Sequence, residues 1–295
     1  MKKRALRPHL LYLISVPIVA VAAVTLRTIA LLSGYDAAIG RYDSQVLALI
    51  NGLLLLAVVG ALAILTHELR EMFVLKPSYR DLPTLFSGAF TAVALILFGI
   101  TLAVGIPDGE TRYAAVLAVF SGVMAVVGAV LFVLRAFDGT AHGGRFALLN
   151  LPLAVLGVSY PLHLTMRVGL RIADPAVIMA TVTWVVIAFF FLGEARVALN
   201  RAMWALHTYI TVLTVIFTAT LALPNLIYHP INGTVLLGNS EQDFAVLAIF
   251  LYALSRLCAI FRTVMHESTA ATRFAMGVAD PAKEPEKATD EETNA

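Results

Sequence analysis

Eight stretches of apolar residues recur between Leu10 and Phe261, separated by short polar or turn-rich connections. A helix needs about 20 such residues to cross the roughly 30 Å hydrocarbon core, where no water satisfies an open backbone, so this pattern can fold only as spanning helices. Composition agrees. Sixty per cent of the residues are apolar and 14% charged, with a mean hydropathy of +0.86, whereas a soluble domain is nearer one quarter charged. The predicted fold is therefore all-α: a polytopic membrane helix bundle.

The expected spans are 10–33, 46–66, 82–105, 113–134, 146–166, 175–193, 204–226 and 244–261. Together 1–276 form a membrane domain, and 277–295, rich in acids and carrying Pro281 and Pro285, reads as a disordered acidic cytoplasmic tail. With both termini cytoplasmic, fifteen lysines and arginines fall on the inner side and four on the outer, which is the sidedness a membrane imposes on short loops. The basic N-terminus precedes an apolar run too long for a signal peptide, so that run reads as the first span. The outer connections, such as Gly34-Tyr35-Asp36 and Asn232-Gly233-Thr234, have turn chemistry and leave no room for an outer domain.

Local signals punctuate the spans. Asp174-Pro175 reads as an N-cap followed by Pro at the first helical position, and Leu82-Pro83 starts the third span similarly. Small residues four apart, Ala57 and Ala61 in the second span and Ser121, Ala125 and Ala129 in the fourth, suit close helix packing. Thr25-Leu26-Arg27 matches Thr165-Met166-Arg167, and Glu68-Leu69-Arg70 matches Glu194-Ala195-Arg196, a pattern that either chance or a four-plus-four duplication explains. Cys258, the sole cysteine, reads as a small core residue.

Candidate chemistry rests on polar residues inside spans. Arg256 lies about a dozen residues, or roughly 18 Å, into the eighth span, where a charge must find a partner or water. Glu194, at the inner end of the sixth span, is its possible counter-charge; the alternative has Arg256 snorkelling to the surface. The seventh span presents His207, Thr211, Thr214, Thr218 and Asn225 near one face, either lining a polar path or bonding to carbonyls one turn back. Pro224 is expected to loosen its outer end. The fifth span joins Pro152 and Pro161 with Tyr160 and His163, either as a helix broken around a binding site or as an ordinary spanning helix, where prolines are also frequent.

Several classes are excluded or left without support. His67-Glu68 and His266-Glu267 lack the second histidine of a zinc protease motif, and all five lysines lie outside the spans, leaving no Schiff-base candidate. Neither a phosphate-binding GxxxxGK[ST] loop nor a GxSxG nucleophile elbow occurs. No catalytic residue, metal ligand or cofactor is assigned, and the basic residues form no nucleic-acid patch. The expected partner is the lipid bilayer.

Arg27-Thr28-Ile29-Ala30-Leu31-Leu32, followed by Gly34-Tyr35-Asp36 and Gly40-Arg41-Tyr42, resembles the first span and outer turn of uncharacterised multispanning membrane proteins of anaerobic Gram-positive bacteria. That resemblance implies a bacterial cytoplasmic membrane and carries over no active residue. The functional expectation is a small-solute transporter or permease-like protein, with a non-transporting scaffold, sensor or assembly subunit as the alternative.

Overall fold

The computed structural model describes residues 6–36, 40–42, 45–68, 81–106, 110–138, 144–168, 174–233, 236 and 240–275. Eight helices cover most of them: α1 (Leu6–Leu32), α2 (Gln45–Glu68), α3 (Leu82–Val104), α4 (Arg112–Asp138), α5 (Gly144–Val168), α6 (Pro175–Ala198), α7 (Trp204–Asn232) and α8 (Ser240–Ala275). Each contains a stretch long and apolar enough to span a membrane. The expected tail at 277–295 lies outside the described residues.

The helix starts follow from the capping residues. Asp174 stands in extended conformation before α6 and accepts from the backbone N–H of Ala176, while Pro175 occupies the first turn, where its missing N–H costs nothing. Asp81 precedes α3 in the same conformation without a side-chain bond. Gly233 ends α7 at φ +64°, and its N–H reaches the carbonyl of His229, the left-handed cap that glycine adopts without a Cβ penalty. Between α1 and α2 lies a two-stranded hairpin, β1 (Tyr35–Asp36) and β2 (Arg41–Tyr42), paired antiparallel. Gly40 sits there at φ +70°, and a Cβ would lie 2.7 Å from an Asp174 carboxylate oxygen, so conformation and space both require glycine.

Six helices close on themselves. Each of α3 to α7 packs on the next in sequence, and α8 returns to α3, while α1 and α2 lie outside this ring against α7. In lipid there is no hydrophobic drive between helices, so close fit and interhelical hydrogen bonds must hold the ring. At Gly99 and Gly122 a Cβ on either would lie within 2.6 Å of the other's carbonyl oxygen, which brings α3 and α4 to backbone contact. Gly157 does the same for α5 against the Trp184 carbonyl of α6. Ser121 donates to Ser159 at 2.8 Å between α4 and α5, and the Ser87 and Ser255 hydroxyls meet at 2.9 Å between α3 and α8.

Aromatic rings fill the interior. Phe98 stacks on Trp184 at 5.7 Å and meets Tyr160 edge-on at 5.1 Å. Towards the other end Phe132 meets Tyr252 at 4.9 Å, and Phe190 stacks on His207 at 6.1 Å. The exterior carries Leu53, Leu56, Ile64, Phe86, Val93 and Val116 exposed, a surface fit for lipid and a liability in water.

Two expectations are corrected. Cys258 faces outward and is exposed, because it lies on the side of α8 opposite Arg256 and Leu257. Ala57 and Ala61 are also exposed, while Ser121, Ala125 and Ala129 are buried; identical spacing served the outside of a peripheral helix in one case and a ring contact in the other. Of the two readings of the fifth span, α5 follows the ordinary helix, running through Pro152 and Pro161; α7 likewise runs through Pro224 and Pro230. The two halves differ in their neighbours: α4 packs on α5, whereas α8 packs on α3 and has no comparable contact with α1.

The face of the bundle where α1 starts, and where α8 also finishes, is termed proximal below, and the opposite face distal.

Candidate functional site

Near the proximal face, three helices bring ionisable side chains to one carboxylate on a fourth. Glu194 of α6 is 0% exposed. Arg256 of α8, equally buried, donates through Nε to its Oε1 at 3.2 Å, and Arg135 of α4 donates through Nη2 to its Oε2 at 3.2 Å. His207 of α7 places Nε2 3.2 Å from Oε1. Arg135 also donates to the Tyr252 hydroxyl. The carboxylate thus stands between two guanidiniums, and each charge has an opposite charge within reach, which is the condition for tolerating such groups at membrane depth.

The short link from α6 to α7 sets this geometry. The Leu199 N–H returns to Ala195, and Asn200 turns the chain at φ +56°, a conformation asparagine tolerates better than most residues. One turn into α7, His207 then lies against Gly193, where a Cβ would come within 2.6 Å of its Nδ1. The ring is held from two further sides, stacked on Phe190 and edge-on to Trp204.

Between α6 and α7 a groove of about 220 Å³ opens at the proximal end, with Gly193 and His207 in its floor and Arg196 and Met203 at its mouth. Its walls include Phe189, Leu206 and Ile210. Inside the ring, a void of about 10 Å³ lies among Thr84, Gly88, Phe132, Arg135 and Tyr252, space for roughly one water and no solute.

The threonine stripe is buried throughout and bonds to its own helix: Thr211 donates to the His207 carbonyl, Thr214 to Ile210 and Thr218 to Thr214. Each hydroxyl is thereby satisfied one turn back.

Asn225 belongs instead to a distal network. Its carbonyl oxygen accepts from Arg27 Nη2 at 3.1 Å, and its amide donates to Asp243 Oδ1 at 2.8 Å. Close by in α5, the Tyr160 hydroxyl donates to Gln242 at 2.7 Å, and His163 Nδ1 lies 3.0 Å from the Ala114 carbonyl. Above them Tyr35 donates to the Asp174 carboxylate at 3.0 Å. Burial first, and then the adjacent Asp174 carboxylate, pushes the Tyr35 hydroxyl well above the usual phenol range; burial also raises Tyr42, opposed by Arg27 and aided by Asp174.

The nine candidates of the sequence therefore divide. Arg256, Glu194 and His207 meet at the proximal cluster; Asn225, Tyr160 and His163 lie in distal contacts; Thr211, Thr214 and Thr218 occupy the length of α7 between them. Arg135, Tyr252, Arg27, Asp243 and Gln242 were not among the candidates. A signal for Arg135 existed: continuing the Ser121, Ala125, Ala129 stripe by helical steps leads to Phe132 and Arg135, all buried. Comparison with protein-family models, with curated proteins and with solved structures finds no match for the chain.

Proposed function

We propose that this integral membrane protein is a small-solute transporter of permease type, with the Glu194 cluster as its binding or coupling site. The observation that carries the reading is the position of His207, whose ring lies in the floor of the proximal groove and also touches Glu194. A group approaching along the groove reaches the charged cluster through one imidazole. The lysine and arginine distribution supports placing the proximal face, and so both termini, on the cytoplasmic side, and the resemblance of the first span and outer turn supports a bacterial membrane. Reporter fusions at Ala295 and within the 230–242 loop should report opposite sides of the membrane.

A non-transporting scaffold, sensor or assembly subunit is the second reading, favoured by the self-bonded threonines and the aromatic filling of the ring. Accessibility separates the two. In a Cys258→Ala background, Thr214→Cys should react with a water-soluble thiol reagent if the ring opens during turnover. Protection of that thiol under every condition tested would support the second reading.

A further inference from the structure

The groove between α6 and α7 combines three features that ordinary lipid-facing surface lacks. Its mouth carries Arg196, whose guanidinium reaches only the Met203 sulfur, at 3.7 Å, among the described residues. The backbone N–H of Arg201 bonds to the Arg196 carbonyl, placing a second exposed arginine at the same end. Deeper, the His207 ring is buried, with its Nε2 3.2 Å from Glu194 Oε1. Gly193 lies directly over the ring and, lacking a side chain, leaves the floor of the groove recessed there. Beyond it Phe189, Leu206 and Ile210 continue as apolar wall.

From mouth to depth the order is cation, recessed floor, hydrocarbon. Arg196 and Gly193 are three residues apart on α6, roughly 4.5 Å along the axis, so the cation stands one short step from the apolar wall. We infer that this groove binds one anionic glycerophospholipid: its phosphate at Arg196 and an acyl chain along Phe189, Leu206 and Ile210. Basic pockets between spanning helices recognise anionic headgroups in this way, each arginine adding about 1 kcal/mol at the membrane surface. The inference shares its groove with the transport reading, but binding is read without flux, so either can fail alone.

Native mass spectrometry of the full chain in detergent, titrated with phosphatidylglycerol or with phosphatidylcholine of the same acyl chains, reads occupancy directly. One phosphatidylglycerol should stay bound per chain, with phosphatidylcholine at least about fivefold weaker. Arg196→Gln should abolish that preference. Leu206→Trp, at a position exposed to lipid, should fill the groove and remove the bound lipid, with the lipid-free melting temperature of both variants unchanged. Equal retention of the two lipids, a preference that survives Arg196→Gln, or a lipid still held by Leu206→Trp would each overturn the proposal. Displacement by inorganic phosphate alone would also overturn it, by making the groove a site for a free anion.

Discussion

The proximal and distal ends of the bundle bury charge in opposite ways. At the proximal end Glu194 touches Arg135 and Arg256 directly, and every participating helix belongs to the closed ring. At the distal end Arg27 and Asp243 are joined through Asn225, whose amide accepts from the cation and donates to the anion. Arg27 comes from α1, outside the ring, so this relay ties a peripheral helix to α7 and α8. Direct pairing concentrates the electrostatics on one carboxylate. The relay spreads it over neutral hydrogen-bonding groups and makes attachment of α1 the more tolerant of change.

The sharpest break of this contrast is Glu194→Gln, which leaves two buried guanidiniums without their shared carboxylate and should cost about 3–5 kcal/mol. Thermal unfolding in detergent measures it, and a loss no larger than that of a distal substitution would end the distinction. Next comes Asn225→Leu, which deprives Arg27 and Asp243 of bonds to a neutral bridge and should cost about 2–3 kcal/mol. Protease sensitivity of α1 should rise in that variant while the ring stays folded.

Arg256→Leu should cost less than Glu194→Gln, because the carboxylate keeps Arg135 and His207. In a double-mutant cycle the two changes should be non-additive by more than about 0.5 kcal/mol. The double variant should not return to wild-type stability, since Arg135 then faces the substituted glutamine; full recovery would reduce the cluster to a simple pair.

The smallest expected effect is at the distal cap. Tyr35→Phe removes the bond to Asp174, worth about 1 kcal/mol. Since folding raises the Tyr35 pKa above its unfolded value, its contribution is fully present below about pH 10 and lost as pH rises further. Unfolding followed from about pH 9 to 11 should therefore show a steeper loss for the wild type than for Tyr35→Phe. Tyr42, also raised by burial, is retained in both and cancels in the comparison. Parallel curves would show that Tyr35 ionises freely and that the cap is open to water.

The sequence alone determined the class, the eight spans, and caps such as Asp174-Pro175, because hydropathy, helix length and capping are local quantities set within one segment. It also made Arg256 and Glu194 conspicuous, since a charge in an apolar run is unusual whatever surrounds it. Only the tertiary structure decided who meets whom. Arg135, just past the expected fourth span at 113–134, proved to be 5% exposed beside Glu194, while Cys258 read as core and proved to face outward. Hydropathy is high on both the lipid-facing and the packed side of a spanning helix, so the inward face carries little signal of its own. Ring closure rotates each helix to its final orientation, and the contacts that fix it, such as Gly99 against Gly122 and Gly193 against His207, join residues of different helices that no local pattern can pair.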